Sequence, residues 1–128
     1  MQTSTCMPDD SFWRGKNVFL TGHTGFKGGW LSLWLDKLGA NVTGYSLNPI
    51  TEPCFFNACA IDSISQSVIG NVQDFEKLAK SVADAKPDII IHMAAQPLVL
   101  ESYKNPLETY QTNLIGTLNI LEITRKNP

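Results

Sequence analysis

Short apolar runs alternate along the chain with segments in which apolar residues recur at helical spacing. The apolar runs at residues 18–20 and 89–91 predict buried strands, and residues 41–46 and 67–70 predict two more. Strands that alternate with helices form βαβ units, in which helices cover both faces of a parallel sheet. The pattern therefore predicts an α/β fold built on a parallel sheet.

Three helices are predicted between and after these strands. The first spans residues 26–38 and ends at Gly39, and its apolar side is expected to pack in the core. The second spans residues 75–85 and is capped by Asp74, and the third opens at Asn105 and Pro106. The apolar residues that share a side are Trp30, Leu31, Trp34, Leu35 and Leu38 in the first helix and Tyr110, Leu114, Leu118 and Leu121 in the third.

Two segments have no such periodicity. Residues 47–66 contain Pro49, Pro53 and several Ser and Asn residues, which predicts a long irregular connection. Residues 1–15 are polar except for Phe12 and Trp13, so a flexible leader is expected there.

The composition excludes several classes of function. The 128 residues are 43% hydrophobic and carry 10 basic and 12 acidic side chains, with a formal charge of −2 and no block of like charges. A nucleic-acid or anionic-membrane surface needs clustered Lys and Arg, so neither partner is expected. No apolar run approaches the roughly 20 residues that span a bilayer, and the N-terminus has no secretory signal pattern. We expect a cytoplasmic protein.

The cysteines do not predict a metal site. Cys6, Cys54 and Cys59 have no second pair and no nearby histidine to complete a zinc site. Reduced thiols are expected, as is usual in the cytoplasm.

Three glycines follow the first predicted strand and open the first predicted helix. Gly22, Gly25 and Gly28 are spaced as G-x-x-G-x-x-G. Glycine lets the backbone turn sharply and approach a pyrophosphate, which the N–H groups of the helix start then face. A P-loop would place Gly-Lys-Ser/Thr five residues after Gly22, where Lys27, Gly28 and Gly29 stand. The pattern predicts a dinucleotide-binding loop in a Rossmann-like, doubly wound sheet.

The residue expected to bind the adenine-side ribose is an asparagine. An acidic residue usually stands about 20 positions after the glycine loop, and here that position is Asn48. Its amide can bond a ribose hydroxyl but carries no charge to repel a 2′-phosphate, so the preference for NAD over NADP is weakened.

The number of predicted strands is smaller than this fold normally has. Doubly wound dinucleotide folds have about six strands, in two halves. Residues 16–128 are therefore expected to form the N-terminal part of an NAD(P)-binding domain, truncated after about four strands and without a substrate domain. Because an uncovered sheet edge invites pairing, a homo-oligomer is also expected.

The chain resembles the extended short-chain dehydrogenase/reductases that modify nucleotide sugars, and among them the 4,6-dehydratases that act on CDP-glucose. The resemblance rests on three stretches: GKNVFLTGHTGFKGGWLSLWL, IIIHMAAQPLV and NPLETYQTNLIGTLNILE. It implies a bound NAD that takes a hydride from glucose C4, loss of water across C5–C6, and return of the hydride to C6. The implied product is CDP-4-dehydro-6-deoxyglucose, a precursor of bacterial surface polysaccharide sugars.

The resemblance also implies cofactor-binding positions in three regions. The glycine loop would surround the pyrophosphate, the segment after the third strand would meet the adenine, and the segment after the fourth would flank the nicotinamide-side ribose. A backbone contact of His23 with the cofactor is expected as well, and Asn113 matches a helix asparagine that supports the site. The implied residues are Gly22, Thr24, Gly25, Phe26, Gly28, Asn71, Val72, Ala94, Ala95, Gln96 and Asn113.

Departures from the family pattern leave two other functions open. Asn48 and Asn71 stand where the family has Asp, and Leu100 stands where it usually has Arg. The family's catalytic Ser/Thr and Tyr-x-x-x-Lys pair do not occur in these residues, so no catalytic residue is assigned and the chain is expected to be inactive alone. The alternatives are a non-catalytic nucleotide-binding module and a fragment of another nucleotide-sugar epimerase or dehydratase.

Individual residues outside the loop receive structural roles. His92 follows three isoleucines, which favours a hydrogen-bonded core residue over a general base. The helical spacing of Trp30 and Trp34 favours core packing over a stacking platform. Lys27 is expected to be a solvated charge.

Overall fold

The chain folds around one parallel sheet. The computed structural model describes residues 10–127. Its strands are β1 (Asn17–Thr21), β2 (Asn41–Ser46), β3 (Gln66–Ile69) and β4 (Ile89–His92), in the order β3-β2-β1-β4, all paired in parallel. The register pairs Val18 with both Val42 and Ile89. The predicted α/β fold with a Rossmann-like parallel sheet is confirmed.

Helices connect and follow these strands. They are α1 (Asp10–Trp13), α2 (Phe26–Lys37), α3 (Phe55–Ala58), α4 (Phe75–Ala85), α5 (Val99–Lys104), α6 (Pro106–Tyr110) and α7 (Gly116–Lys126). A π-helical turn at Gln111–Ile115 joins α6 to α7, so residues 106–126 form one continuous helical segment. The bounds of α4 match the prediction, and Asp74 caps it by accepting a hydrogen bond from the Lys77 N–H at 3.1 Å.

The alternation of side chains along β1 creates two cores. Phe19 lies on the face covered by α4 and α7, where it packs with residues such as Leu78 and Ile123. Val18 and Leu20 lie on the opposite face, which α2 covers with Leu35. A strand with both faces buried needs apolar residues at successive positions, which is why the short run at 18–20 predicted it.

The tryptophans of α2 are not core residues, contrary to the prediction. Trp30 and Trp34 are 55% and 54% exposed. The buried side of the helix is made instead by Gly28, Gly29, Ser32 and Leu35. A Cβ on Gly28 would collide with the backbone of the glycine loop and one on Gly29 with the Phe55 ring of α3, so the small residues allow close packing on this side, while the two tryptophans lie on the exposed side. A pattern that counts only large apolar residues misses such a face.

The predicted apolar side of the last helix exists but faces away from the core. Its four residues are each about half exposed or more: Tyr110, Leu114, Leu118 and Leu121. The core contact of α7 is made by Ile120 and Ile123 and by Gly116, where an added Cβ would lie 2.6 Å from a Val72 methyl.

Two segments expected to be irregular contain structure. Within residues 47–66, α3 and a 3₁₀ turn at Ile61–Ser63 enclose a small apolar cluster of Cys54, Phe56 and Ile61. Of the expected flexible leader, residues 1–9 lie outside the described residues. Residues 10–13 form α1, and Trp13 packs against the core under α2.

Candidate functional site

The segments predicted to hold a cofactor meet at one edge of the sheet. They follow the carboxyl ends of the four parallel strands, at residues 22–25 after β1, 47–48 after β2, 70–73 after β3 and 93–98 after β4. In open parallel sheets, ligands bind in the crevice outside these ends. The chain order reverses at β1, which lies between β2 and β4, so the glycine loop stands at the switch point of the sheet.

The three loop positions differ in what a side chain would meet there. Gly22 has φ +84°, and a Cβ there would lie 2.9 Å from the Ala94 nitrogen. A Cβ on Gly28 would collide with the Gly22 carbonyl. Gly25 has φ −77°, is exposed, and would bring a Cβ no closer than 3.4 Å to a protein atom. Packing therefore explains Gly22 and Gly28, whereas the surface at Gly25 is kept open for close approach from outside.

The N-terminus of α2 presents unsatisfied donors beside Gly25. Gly25 is the N-cap and offers no side chain to the first turn. The first N–H groups of a helix have no intrahelical acceptor, and they carry the positive end of the helix dipole. This loop has the geometry expected for a pyrophosphate site, and the residues present fit such a group.

Thr24 fixes the loop to the end of β2. Its hydroxyl lies 2.8 Å from the Ser46 hydroxyl and donates to the Leu47 carbonyl at 2.9 Å, and the residue is buried. The side chain of Thr24 therefore positions the loop, while Phe26, at the first position of α2, is exposed beside it.

His23 turns its ring inward, under the loop. The ring is fully buried, with Nε2 2.6 Å from the Ser67 hydroxyl of β3 and Nδ1 without a hydrogen-bond partner in the structure. The ring is nearly perpendicular to that of Phe56, with an interplanar angle of 82° and ring centres 5.5 Å apart. Burial lowers the pKa of His23 to about 4, so the ring is neutral at pH 7. The ring therefore lies away from the open crevice, and only the backbone of His23 can face a ligand.

The residues expected near adenosine lie at the ends of β2 and β3. Asn48 is exposed just beyond β2. The side-chain oxygen of Asn71 accepts from the Gln73 N–H at 3.0 Å, and the backbone carbonyl of Asn71 accepts from the Tyr45 hydroxyl at 3.0 Å. Burial and the charge of Asp74 raise the pKa of Tyr45 to about 12, so this donor keeps its proton.

The Val72 side chain is packed in the hydrophobic core and does not face the crevice. Val72 is 4% exposed and belongs to the core under α4 and α7. Its carbonyl accepts from the Asn119 amide at 2.9 Å. A contact between its side chain and an adenine ring would need this packing to open.

The loop after β4 is held by Asn113 from the π-helical turn. The Asn113 amide accepts from the Gln96 N–H at 2.8 Å and donates to the Gln96 carbonyl at 3.1 Å. The Gln96 side chain accepts from the Leu98 N–H at 2.7 Å and donates to the Thr109 hydroxyl at 3.0 Å. Ala94 and Ala95 precede Gln96 in this loop; Ala94 is half-buried, Ala95 is exposed, and neither has a polar side chain.

Sequence reasoning missed the threonines that complete this edge. The Thr21 hydroxyl accepts from the N–H groups of Met93 and Ala94, and Nδ1 of His92 lies 2.7 Å away from it. Nε2 of His92 lies 3.1 Å from the Thr117 hydroxyl. The expectation that His92 is hydrogen-bonded is therefore confirmed. A threonine at the end of an apolar strand was the available signal, but its partners are about 70 residues away in sequence.

A concavity of about 440 Å³ lies at the opposite edge of the sheet. It is lined by polar residues at the starts of the strands, among them Asn17, Asn41 and Gln66. Ligands of parallel sheets bind at the other end, so this concavity is not assigned to the cofactor.

Other kinds of site find no support in the part of the chain described. Residues 10–127 contain no group of three or more His, Cys, Asp or Glu side chains arranged to hold a metal ion. Cys54 is buried and Cys59 half-buried, both as free thiols. None of the described helices is both long and apolar enough to cross a membrane.

One family model and several curated proteins match most of the chain. Residues 19–128 match the family model described as GDP-mannose 4,6 dehydratase. CDP-glucose 4,6-dehydratase of Salmonella typhimurium LT2 is 53% identical over 120 residues, which are 94% of this chain and 33% of that protein. GDP-mannose 4,6-dehydratase of Yersinia enterocolitica is 30% identical over 122 residues, 88% of this chain and 32% of its own length. The chain thus spans about a third of the length of the curated relatives it matches.

Solved structures share the same architecture. UDP-glucose 4-epimerase from Brucella ovis, in complex with NAD, superposes with a TM-score of 0.75 at 25% identity, covering 87% of this chain and 32% of that one. UDP-glucose 4-epimerase from Bifidobacterium longum, in complex with NAD⁺ and UDP, gives a TM-score of 0.75 at 26% identity, covering 85% of this chain and 33% of that one.

Proposed function

The chain belongs to the GDP-mannose 4,6-dehydratase family, and from that premise we propose that it is the NAD-binding portion of a nucleotide-sugar 4,6-dehydratase acting on CDP-glucose in the cytoplasm. The observation that carries the proposal is the open backbone at Gly25, beside the uncapped start of α2. The substrate assignment is supported by the 53% identity to the Salmonella typhimurium enzyme.

Each segment at the carboxyl edge has a distinct part in holding the cofactor. Gly22, His23, Gly25, Phe26 and Gly28 supply backbone to the pyrophosphate, with Thr24 tying the loop to β2. Asn48 bonds the adenine-side ribose, and Asn71 with Val72 borders the adenine. Ala94, Ala95 and Gln96, held by Asn113, flank the nicotinamide-side ribose.

The cofactor supplies the hydride chemistry of the proposed reaction. A bound NAD would supply a hydride acceptor for C4 of the sugar and, after loss of water, a hydride donor for C6. The residues of this chain bind and orient the cofactor and bring no acid–base pair to the sugar. His23 is neutral and enclosed, and both ring nitrogens of His92 are engaged by threonines. None of the three tyrosines is followed four residues later by Lys, so the chain alone is proposed to bind NAD without turnover.

Substitution of Gly25 tests this proposal. We expect the chain to bind NAD saturably in a calorimetric titration. Gly25→Ala should weaken NAD binding by about tenfold or more, a difference of about 1.4 kcal/mol, because the Cβ occupies the surface that the pyrophosphate approaches. The fold should tolerate the alanine, with a loss below about 1 kcal/mol of unfolding free energy, since no protein atom lies close and φ is ordinary.

A matched substitution separates binding from folding. Gly28→Ala should lower the melting temperature as well as the affinity, because its Cβ meets the Gly22 carbonyl. Equal NAD affinity of the parent chain and Gly25→Ala would contradict the proposed loop. The same titration with NADP measures the effect of Asn48, which lacks the charge that repels a 2′-phosphate.

A non-catalytic nucleotide-binding module is the second candidate. It is favoured by Asn48 and Asn71, which stand where the family has Asp. Both candidates bind NAD, but only a dehydratase portion is expected to support turnover of CDP-glucose when it is joined to a segment that carries the acid–base pair. Turnover of UDP-glucose or GDP-mannose instead by that fusion would favour another nucleotide-sugar epimerase or dehydratase.

A further inference from the structure

Thr21, the last residue of β1, holds the backbone of the loop after β4. Its Oγ1 accepts hydrogen bonds from the N–H groups of Met93 at 3.0 Å and Ala94 at 3.1 Å. A hydroxyl has two lone pairs and one proton, and a backbone N–H can only donate. Both lone pairs of Thr21 are therefore in use, so its proton is directed to the third neighbour, Nδ1 of His92, at 2.7 Å.

This arrangement fixes the proton of the His92 ring. Nδ1 accepts from Thr21, so the single proton of the neutral ring lies on Nε2. Nε2 then donates to the Thr117 hydroxyl at 3.1 Å, and this hydroxyl donates to the backbone carbonyl of Asn113, one helical turn earlier, at 2.7 Å. Three hydrogen bonds thus link Thr21 to His92, His92 to Thr117 and Thr117 to Asn113, and each of them pairs one donor with one acceptor.

The environment of the ring favours its neutral form. The groups that face it from β1 and α7 are the uncharged hydroxyls of Thr21 and Thr117. Burial lowers the pKa of His92, and no charged side chain of the described residues contributes to that shift.

The last residue of this hydrogen-bonded series, Asn113, also holds the loop after β4. Asn113 bonds both backbone groups of Gln96, and Gln96 in turn holds Leu98 and Thr109 through its side chain. The loop is thus fixed at its start by Thr21 and at its middle by Asn113. His92 bridges the strand and the helix that carry these two anchors.

We propose that His92, held as the neutral Nε2–H tautomer between Thr21 and Thr117, is a positioning residue that fixes the loop at residues 93–98. The effect on cofactor affinity rests on the proposed function, whereas the effect on the loop does not. A protonated ring would carry a second N–H at Nδ1, facing a Thr21 oxygen whose lone pairs are both occupied. One of the two N–H groups would then lose its bond to Oγ1. Met93 would keep the Thr21 backbone carbonyl, to which its N–H also donates at 3.2 Å, so it is loss of the Ala94 bond that would loosen the start of the loop.

The tautomer is measured directly in the unmodified chain. The sequence contains two histidines, so nitrogen NMR of chain labelled at histidine gives two rings, and His23→Gln identifies that of His92. At pH 7 we expect the proton of His92 on Nε2 and a bare Nδ1. A proton on Nδ1, a charged ring or a mixture of tautomers would overturn the proposal.

Two threonine substitutions on α7 then test the coupling. Thr117 and Thr124 both donate to the carbonyl four residues earlier, at 2.7 and 2.8 Å, but only Thr117 meets His92. Thr117→Val should mix the tautomers, shift the amide signals of Met93, Ala94 and Gln96, and weaken NAD binding about threefold to tenfold, as for one hydrogen bond.

Thr124→Val should leave the tautomer, the loop amides and the NAD affinity unchanged. If Thr117→Val also leaves the loop amides unchanged, His92 is not a positioning residue. If the parent chain fails to bind NAD, the proposed function fails, while the tautomer and the loop amides still decide the role of His92.

Discussion

Gly44, in the middle of β2, has no side chain, and the ring of His23 occupies the position that a side chain would take there. A Cβ on Gly44 would lie 2.7 Å from His23 Nδ1, inside van der Waals contact. The glycine in the middle of β2 is thus required by a histidine of the glycine loop, two positions that the sequence does not connect. The loop is fixed to the sheet both by this inserted ring and by Thr24.

The buried ring of His23 makes stability depend on pH. Its pKa is about 4 in the folded chain against 6.5 unfolded. Above pH 6.5 both states are neutral and the group has no effect. As pH falls from 6.5 to 4, the unfolded chain takes up a proton that the folded chain does not, so stability falls by an amount on the order of 3 kcal/mol.

Urea unfolding between pH 7 and pH 4.5 measures this loss. His23→Gln removes the titrating group and keeps an amide near Ser67, so its stability should fall less steeply over that range than that of the parent chain. His92 is shifted in the same direction and leaves part of the slope in place. Parallel curves for the two proteins would contradict the buried neutral ring.

At the scale of the element, α4 is the helix whose limits are set locally. Asp74 satisfies the Lys77 N–H at its start, and Lys86 ends it in a left-handed conformation, with φ +44°. Leu78 and Val82, one turn apart, both face the core. Helix α2 differs, because its first turn is uncapped and its buried side is made mostly of small residues. The start of α4 is closed by a side-chain cap, whereas the start of α2 is the one proposed to face the cofactor.

Removal of the α4 cap should destabilise the fold measurably. We expect Asp74→Ala to reduce the free energy of unfolding by about 1 kcal/mol, since the Lys77 N–H loses its acceptor at the helix start. Asp74→Asn, which keeps an acceptor oxygen, should recover most of this loss. Asp84→Ala, an exposed carboxylate on the same helix, should change stability by less than about 0.5 kcal/mol. Chemical denaturation compares the three, and an equal loss for Asp74→Asn and Asp74→Ala would exclude a capping role.

At the scale of the whole molecule, the two faces of the sheet are covered but one side of the last helix is not. Tyr110, Leu114, Leu118 and Leu121 expose about half or more of their surfaces along α6 and α7. β4, at the end of the strand order, is only half-buried. Exposed apolar side chains at helical spacing and an edge strand with one unpaired side are both typical of protein interfaces.

We therefore expect the 128-residue chain to self-associate through this helical side. The double variant Leu114→Glu, Leu118→Lys should shift the chain toward monomer in sedimentation at micromolar concentration, because it places charges on the exposed apolar side. Gln111→Lys, an exposed polar position of the π-helical turn, should leave association unchanged. A parent chain that sediments as a monomer with a sharp thermal transition would refute this expectation.

The alternation of strands and helices, the parallel sheet and the place of the glycine loop between a strand and a helix follow from the sequence alone. These features depend on local signals: apolar runs of three, the proline and aspartate at helix starts, and glycines between a strand and a helix. Only the tertiary structure decided which side of α2 is buried, where the His23 ring lies, and that Thr21 and Asn113 hold one loop. These outcomes depend on contacts between residues 17 to 73 positions apart, for which hydrophobic period and propensity carry no information.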